Sequence, residues 1–220
     1  MRVTDLSFEE WVRHMFDHPV EGARWYEDLE APYWVGSGAV TIEYVTRLFE
    51  QPAVLSSYDD GQLGQGFWYL VSNGCSDCMF ALTDEAVPVG ERVRCLASFT
   101  NLFRRVFAVR CTPHLAHIDE RGASPINLPC YMWWDLLPLV GSPDEPSRRD
   151  IDRAALDVMA SVVMLDSLSC QESALHGLGH WQGEYPGEIE RIVDRFVATH
   201  PQARPELLAY AKSARCGCVL

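Results

Sequence analysis

A chain of 220 residues with 48% apolar and 22% charged side chains can bury one full core, or two small ones. Its formal charge of −13 argues against a phosphate-binding surface, because nucleic-acid contact relies on clustered lysine and arginine. No apolar run reaches the roughly 18 residues of a helical membrane span, so the charge points instead to a basic protein or peptide as partner.

The N-terminal stretch Met1 to Trp11 holds no apolar segment long enough for an export signal. Eight cysteines without export imply a reducing, cytoplasmic setting with free buried thiols. The last five residues, C-G-C-V-L, place Gly217 where a prenylation box needs its cysteine, so a lipid anchor is not expected. Of the 18 basic residues only Lys212 is a lysine, which reads as background composition.

Ser7 and Glu10 form a helix-capping box, and Phe8, Trp11, Val12, Met15 and Phe16 follow at helical spacing. A second, shorter helix is expected over Glu21 to Glu30, then a loop from Ala31 to Gly38 carrying Tyr33 and Trp34. Thr41 to Glu50 is a helix with Tyr44, Val45, Leu48 and Phe49 on its apolar stripe. Asp59 or Asp60 caps the next, whose stripe is Leu63, Phe67, Leu70 and Val71 and whose early turns hold Gly64 and Gly66. Cys78 to Leu82 is a short apolar piece to which the pattern assigns neither helix nor strand.

Glu91 to Val109 is the longest periodic segment. Asp119 to Leu128 is loop-like, and Pro129 begins a helix through Trp133, Trp134 and Leu137. Residues 140–149, rich in proline and polar groups, are the best linker candidate. Four helices follow in close succession: Asp150 to Leu165, a helix beginning near Ser169, Glu188 to Thr199, and one started by Pro205. Sustained period-two alternation is missing throughout, so strands are not expected.

The fold class is therefore all-α, an irregular bundle or array of about eight or nine antiparallel helices. A boundary at 141–149 would divide it into 1–140 and 150–220, unless the two pack as one domain. Two glycine-containing passages, Gln62 to Leu70 and Ala174 to Trp181, each follow an apolar helix and carry an aromatic. In this the chain resembles HEAT-like helical-repeat proteins, in which small residues let paired helices approach closely. The resemblance implies a fold and a tendency toward protein binding, and no catalytic residues.

Several constellations could carry chemistry. Glu172, His176 and His180 follow at four-residue intervals on one side of their helix; paired histidines at i, i+4 chelate metal, and the carboxylate would be a third ligand. The alternative is that Glu172 caps the helix in a box with Ser169, while the histidines bond neighbours and Gly177 and Gly179 serve packing. A zinc-protease helix would carry glutamate directly after its first histidine, where this chain has Gly177.

Cys75 and Cys78 form a C-x-x-C, which would complete a zinc site only with Cys111, His114 and His117, Cys95 being a spare; the other reading is buried thiols. Cys170 paired with His176 or His180 is the one candidate for a nucleophilic thiol. Tyr33, Trp34, Trp133 and Trp134 are candidates for a binding surface, or for core. No glycine-rich phosphate loop, nucleophile elbow or dinucleotide fingerprint occurs.

The leading expectation is a cytosolic, acidic protein-binding module of adaptor or immunity type, with a basic partner and neither catalysis nor cofactor. The alternative is a zinc-binding protein or metal-dependent enzyme centred on Glu172, His176 and His180. A third is a homo-oligomer with the glycine-bearing helices at its interface.

Overall fold

In the computed structural model, residues 2–28 and 30–219 are described. Helix α1 (Phe8–Phe16) starts as its sequence dictates: Ser7 Oγ accepts from Glu10 N, and the Glu10 carboxylate accepts from Ser7 N at 2.8 Å. Its five apolar residues are all buried. Helix α2 (Gly38–Glu50) is capped by Ser37, and α3 (Asp60–Val71) by Asp59 in a second box with Gln62. The loop expected over residues 31–38 contains a short strand, β2 (Tyr33–Trp34), paired in parallel with β1 (Arg2–Val3).

The helix expected over Glu21 to Glu30 does not form. Gly22 has φ +90°, a left-handed conformation that ends any right-handed helix, and only a single 3-10 turn at Trp25–Glu27 remains. Aromatic packing holds this segment instead: the Trp25 ring stacks on His18 at 3.9 Å and meets Tyr69 at 4.5 Å. Cys78–Leu82 is likewise a 3-10 turn.

Helix α4 (Val89–Leu102) passes into a π-helical turn at Phe103–Phe107 and then α5 (Ala108–Arg110), a continuous rod. The expected single helix after Pro129 is two short pieces, α6 (Asn127–Tyr131) and α7 (Trp133–Leu136), broken at Met132. Then come α8 (Arg149–Val162), α9 (Leu168–His180), α10 (Pro186–Thr199) and α11 (Pro205–Arg215). Beyond α11 the Cys218 N–H reaches Ser213 O and the Gly217 N–H reaches Ala214 O, with Gly217 at φ +71°. The C-G-C sequence is thus a glycine helix stop.

The fold is an all-α bundle whose only sheet among the described residues is that two-residue pairing. One hydrophobic core runs from Phe8 to Val219 and crosses residues 140–149. That stretch is fastened at both ends: Ser142 N donates to the buried Asp152 carboxylate at 2.6 Å, and Arg148 donates to Val140 O at 3.0 Å. Helix α4 packs along α8, so the segments before and after it share their interior.

Helix α9 is the axis of this bundle. Every residue from Ser169 to Gly179 is buried. Its glycines are places of close approach: a Cβ on Gly177 would stand 2.6 Å from the Trp134 ring, and one on Gly179 would stand 2.5 Å from Val219. In α3, Gly64 similarly admits Pro125 and Gly66 admits Phe16. At Gly64, Gly66, Gly177 and Gly179 the space a side chain would need is taken by residues of the same chain.

Gly177→Ala is expected to destabilise the protein by about 1–3 kcal/mol, since the Trp134 ring must move. Gly187→Ala, where an added Cβ meets nothing within 4 Å, is expected to be neutral or stabilising by up to about 1 kcal/mol. Urea unfolding of both variants measures the contrast.

Candidate metal centre

The polar side chains of α9 leave the helix toward three different neighbours. The helix begins two residues earlier than a Ser169 cap would require: Ser167 is its N-cap residue, and Ser169 and Glu172 both lie inside it. Ser169 Oγ donates to Thr112 O at 2.8 Å and accepts from Asn127 Nδ2 at 3.0 Å. Ser173 donates to Cys130 O. The Glu172 carboxylate, 1% exposed, accepts from the backbone N–H of Ala116 and of His117, both at 2.9 Å, and lies 2.6 Å from His117 Nδ1.

This corrects the expected ligand set. Glu172 neither caps its helix nor faces His176 and His180; its lone pairs are taken up by the 116–117 turn. A second carboxylate clamps the same loop: Glu120 accepts from Leu115 N at 2.7 Å and forms a bidentate pair with Arg204. The Arg204 guanidinium and the Leu115 N–H pull the Glu120 carboxyl down to about 2.

The histidines meet a different acid. One ligand atom each of Asp135, His176 and His180 lies within 4.8 Å of the other two. His180 Nε2 stands 3.2 Å from His176 Nε2 and 3.5 Å from the Asp135 carboxylate. Donors bound tetrahedrally at about 2.0–2.1 Å from zinc are separated by about 3.3–3.4 Å, so both spacings suit one shared ion. Asp135 comes from α7, beside Trp134, and that ring seats on Gly177. The glycine between the histidines is therefore what lets the third donor approach.

Burial is graded across the centre. His176 is 1% exposed, whereas the side chains of His180 and Asp135 are 38% and 39% exposed, which leaves one side open to water. Burial first, and then the neighbouring imidazoles of His180 and His117, hold the His176 ring down to about 3, so it is neutral at ordinary pH. A neutral imidazole is the form that binds metal. Its other nitrogen, Nδ1, lies 2.6 Å from the Tyr210 hydroxyl, which lies 3.2 Å from that of Tyr131.

Among the described residues no other three histidine, cysteine or carboxylate groups converge in this way. The C-x-x-C and the Cys111 cluster are not brought together. Cys75 sits in the turn after α3, with its N–H on Ser72 O, and Cys78 is buried with its thiol pushed up to about 11. Cys111 Sγ turns to Ile126 O, His114 Nδ1 lies 2.9 Å from Thr112 Oγ1, and His117 is held by Glu172. Burial pushes the Cys95 thiol up to about 12. Cys170 is buried with its thiol directed at Phe103 O, while His176 turns to Tyr210, so no nucleophile–base pair forms.

The aromatic surface also contracts. Trp133 is fully buried among Phe49, Phe67, Phe99, Phe103 and Phe107, Trp134 stacks on Phe103, and Trp34 packs against Trp11. Of the four expected surface aromatics only Tyr33, at 48%, is exposed. Large flat rings gain most by leaving water, and the core has taken these three. In comparisons with known proteins, no family model matches the chain, and neither a characterised protein nor a solved structure matches it.

A buried histidine held neutral makes stability depend on pH. The unfolded chain takes up a proton on His176 below its ordinary value of about 6.5, while the folded protein resists until about 3. In chelator-treated protein, this contribution to stability is therefore expected to fall as pH drops from about 6.5 toward 3. Urea midpoints across that range measure the slope, and His176→Gln should flatten it.

Proposed function

We propose that the protein binds a divalent transition-metal ion, zinc being the best fit, through Asp135, His176 and His180. The observation that carries the reading is the convergence of two imidazole nitrogens and a carboxylate from two helices at spacings suited to one ion. Two features support it. The buried ligand is held neutral, and its far nitrogen meets a hydroxyl, as the outer partners of metal-bound histidines do.

Two histidines and one carboxylate with a solvent side would hold an ion from one side and leave the other accessible from water. A zinc ion held by Asp135, His176 and His180 would supply Lewis-acid chemistry of the kind used in metal-assisted hydrolysis. Iron(II) takes the same donor set, and its identity is a matter of metal content. The acidic protein-binding reading keeps the charge of −13 but rests on one exposed aromatic, Tyr33, where four were expected.

The test is metal content and affinity of protein purified without a histidine tag. Wild type is expected to hold about one equivalent of zinc or iron, and chelation should lower its melting temperature, because an ion bound only to the folded state stabilises it. Asp135→Ala and His180→Ala, at partly exposed positions, should lose the ion while remaining folded. Glu172→Gln should keep it, since Glu172 serves the 116–117 turn. Stoichiometric metal in the Asp135 and His180 variants would exclude this centre.

A further inference from the structure

We propose that Tyr210 is the positioning residue of this centre: its hydroxyl holds the proton of His176 on Nδ1 and so leaves Nε2 free for the ion. The inference rests on the metal reading above and adds how the buried ligand is made ready.

A neutral imidazole carries one proton on either nitrogen, and only the bare nitrogen can bind a metal. At His176 the two nitrogens face different partners. Nδ1 lies 2.6 Å from Tyr210 Oη, and Nε2 lies 3.2 Å from His180 Nε2. Two hydrogen-bonding arrangements are therefore open. In one, Tyr210 donates to Nδ1 and the proton on Nε2 points to His180, which closes the site. In the other, Nδ1–H donates to Tyr210, Tyr210 donates onward to Tyr131, and both Nε2 lone pairs face the ion. The two arrangements hold the same number of protons, so a metal can enter without either ring losing one.

The placement of Tyr210 makes the second arrangement available. Its hydroxyl lies 3.2 Å from the Tyr131 hydroxyl, an acceptor for the phenolic proton. Its ring is covered by the His117 imidazole at 4.1 Å and 18°. His117 is in turn fixed by Glu172, which also accepts from the backbone N–H groups of Ala116 and His117. The carboxylate expected as a ligand thus serves the centre from outside, through His117 and Tyr210. Tyr210 itself is only 7% exposed, so water does not compete freely for its hydroxyl.

Cobalt(II) titration of apo wild type and Tyr210→Phe, followed by visible absorption, tests the proposal. Removing an outer partner of a metal-bound histidine typically costs about 10–100-fold in affinity. Tyr210→Phe is therefore expected to weaken cobalt binding by that factor, with a shifted band. Because the variant also leaves a buried nitrogen unpartnered, ring-nitrogen NMR of the wild type supplies a second measurement. Zinc-loaded protein should show His176 protonated on Nδ1 and metal-bound at Nε2.

A variant that binds cobalt within about twofold of wild type with a superimposable band would overturn the role of Tyr210 and leave the metal centre standing. So would a wild-type His176 with its proton on Nε2 when zinc is bound. A wild-type protein that gives no cobalt band at all would overturn the centre, and this inference with it.

Discussion

Everything in this fold depends on how a helix that is buried on all sides disposes of its polar side chains. A fully enclosed helix is ordinarily apolar all round. In α9 the serines, Glu172 and His176 lie as deep as the leucines, and each unpaired one would cost about 1–3 kcal/mol or more. Each therefore has a partner on one of three neighbours: Thr112 of the loop after α5 and Asn127 of α6 for Ser169, Cys130 of α6 for Ser173, the 116–117 turn of that loop for Glu172, and Tyr210 of α11 for His176. These bonds fix where the surrounding elements must sit. The long irregular segment between α5 and α6 is a consequence, since its exposed carbonyls and N–H groups find their acceptors and donors on α9.

The second constraint is steric. Gly177 and Gly179 carry no side chain because Trp134 and Val219 occupy the space. A glycine in mid-helix costs roughly 1 kcal/mol against alanine, and close packing of a tryptophan ring more than offsets it. The ring that fills the notch belongs to the residue before Asp135, so the same contact that closes the core delivers a carboxylate to the edge of the histidine pair. Packing and site are one event at this position.

The sequence showed the helices well, because amphipathic stripes and caps are local: α1, α3, α10 and α11 begin where their capping residues or prolines say, while α2 begins at Gly38, three residues before the expected Thr41, because Ser37 caps it. It also marked α9 as the organising element and paired His176 with His180, since i, i+4 geometry needs no tertiary information. Its errors have a common source. The helix expected over Glu21 to Glu30 has a plausible composition, yet Gly22 takes a left-handed φ and Trp25 prefers the faces of His18 and Tyr69. Ser169 and Glu172 match a capping box in spacing, but both were needed elsewhere. Asp135 was invisible as a neighbour of the histidines because the contact joins α7 to α9. The one signal available was an acidic residue next to a tryptophan in an otherwise apolar piece, and that signal has no direction until Gly177 supplies the notch.

Charge placement explains why a pair of histidines so near each other is tolerable. Two imidazole nitrogens 3.2 Å apart repel when both present lone pairs and repel more strongly when both are protonated. The interior resolves half of this by keeping His176 neutral, and Asp135 resolves the other half by placing a negative charge beside His180 at 3.5 Å. What remains is a gap between two nitrogens and an oxygen that a single proton fills in one direction only. A divalent cation bound there, as proposed above, would meet a lone pair from each. With one proton between them the two nitrogens, 3.2 Å apart, are within hydrogen-bond distance, so the pair closes on itself until that proton is placed elsewhere.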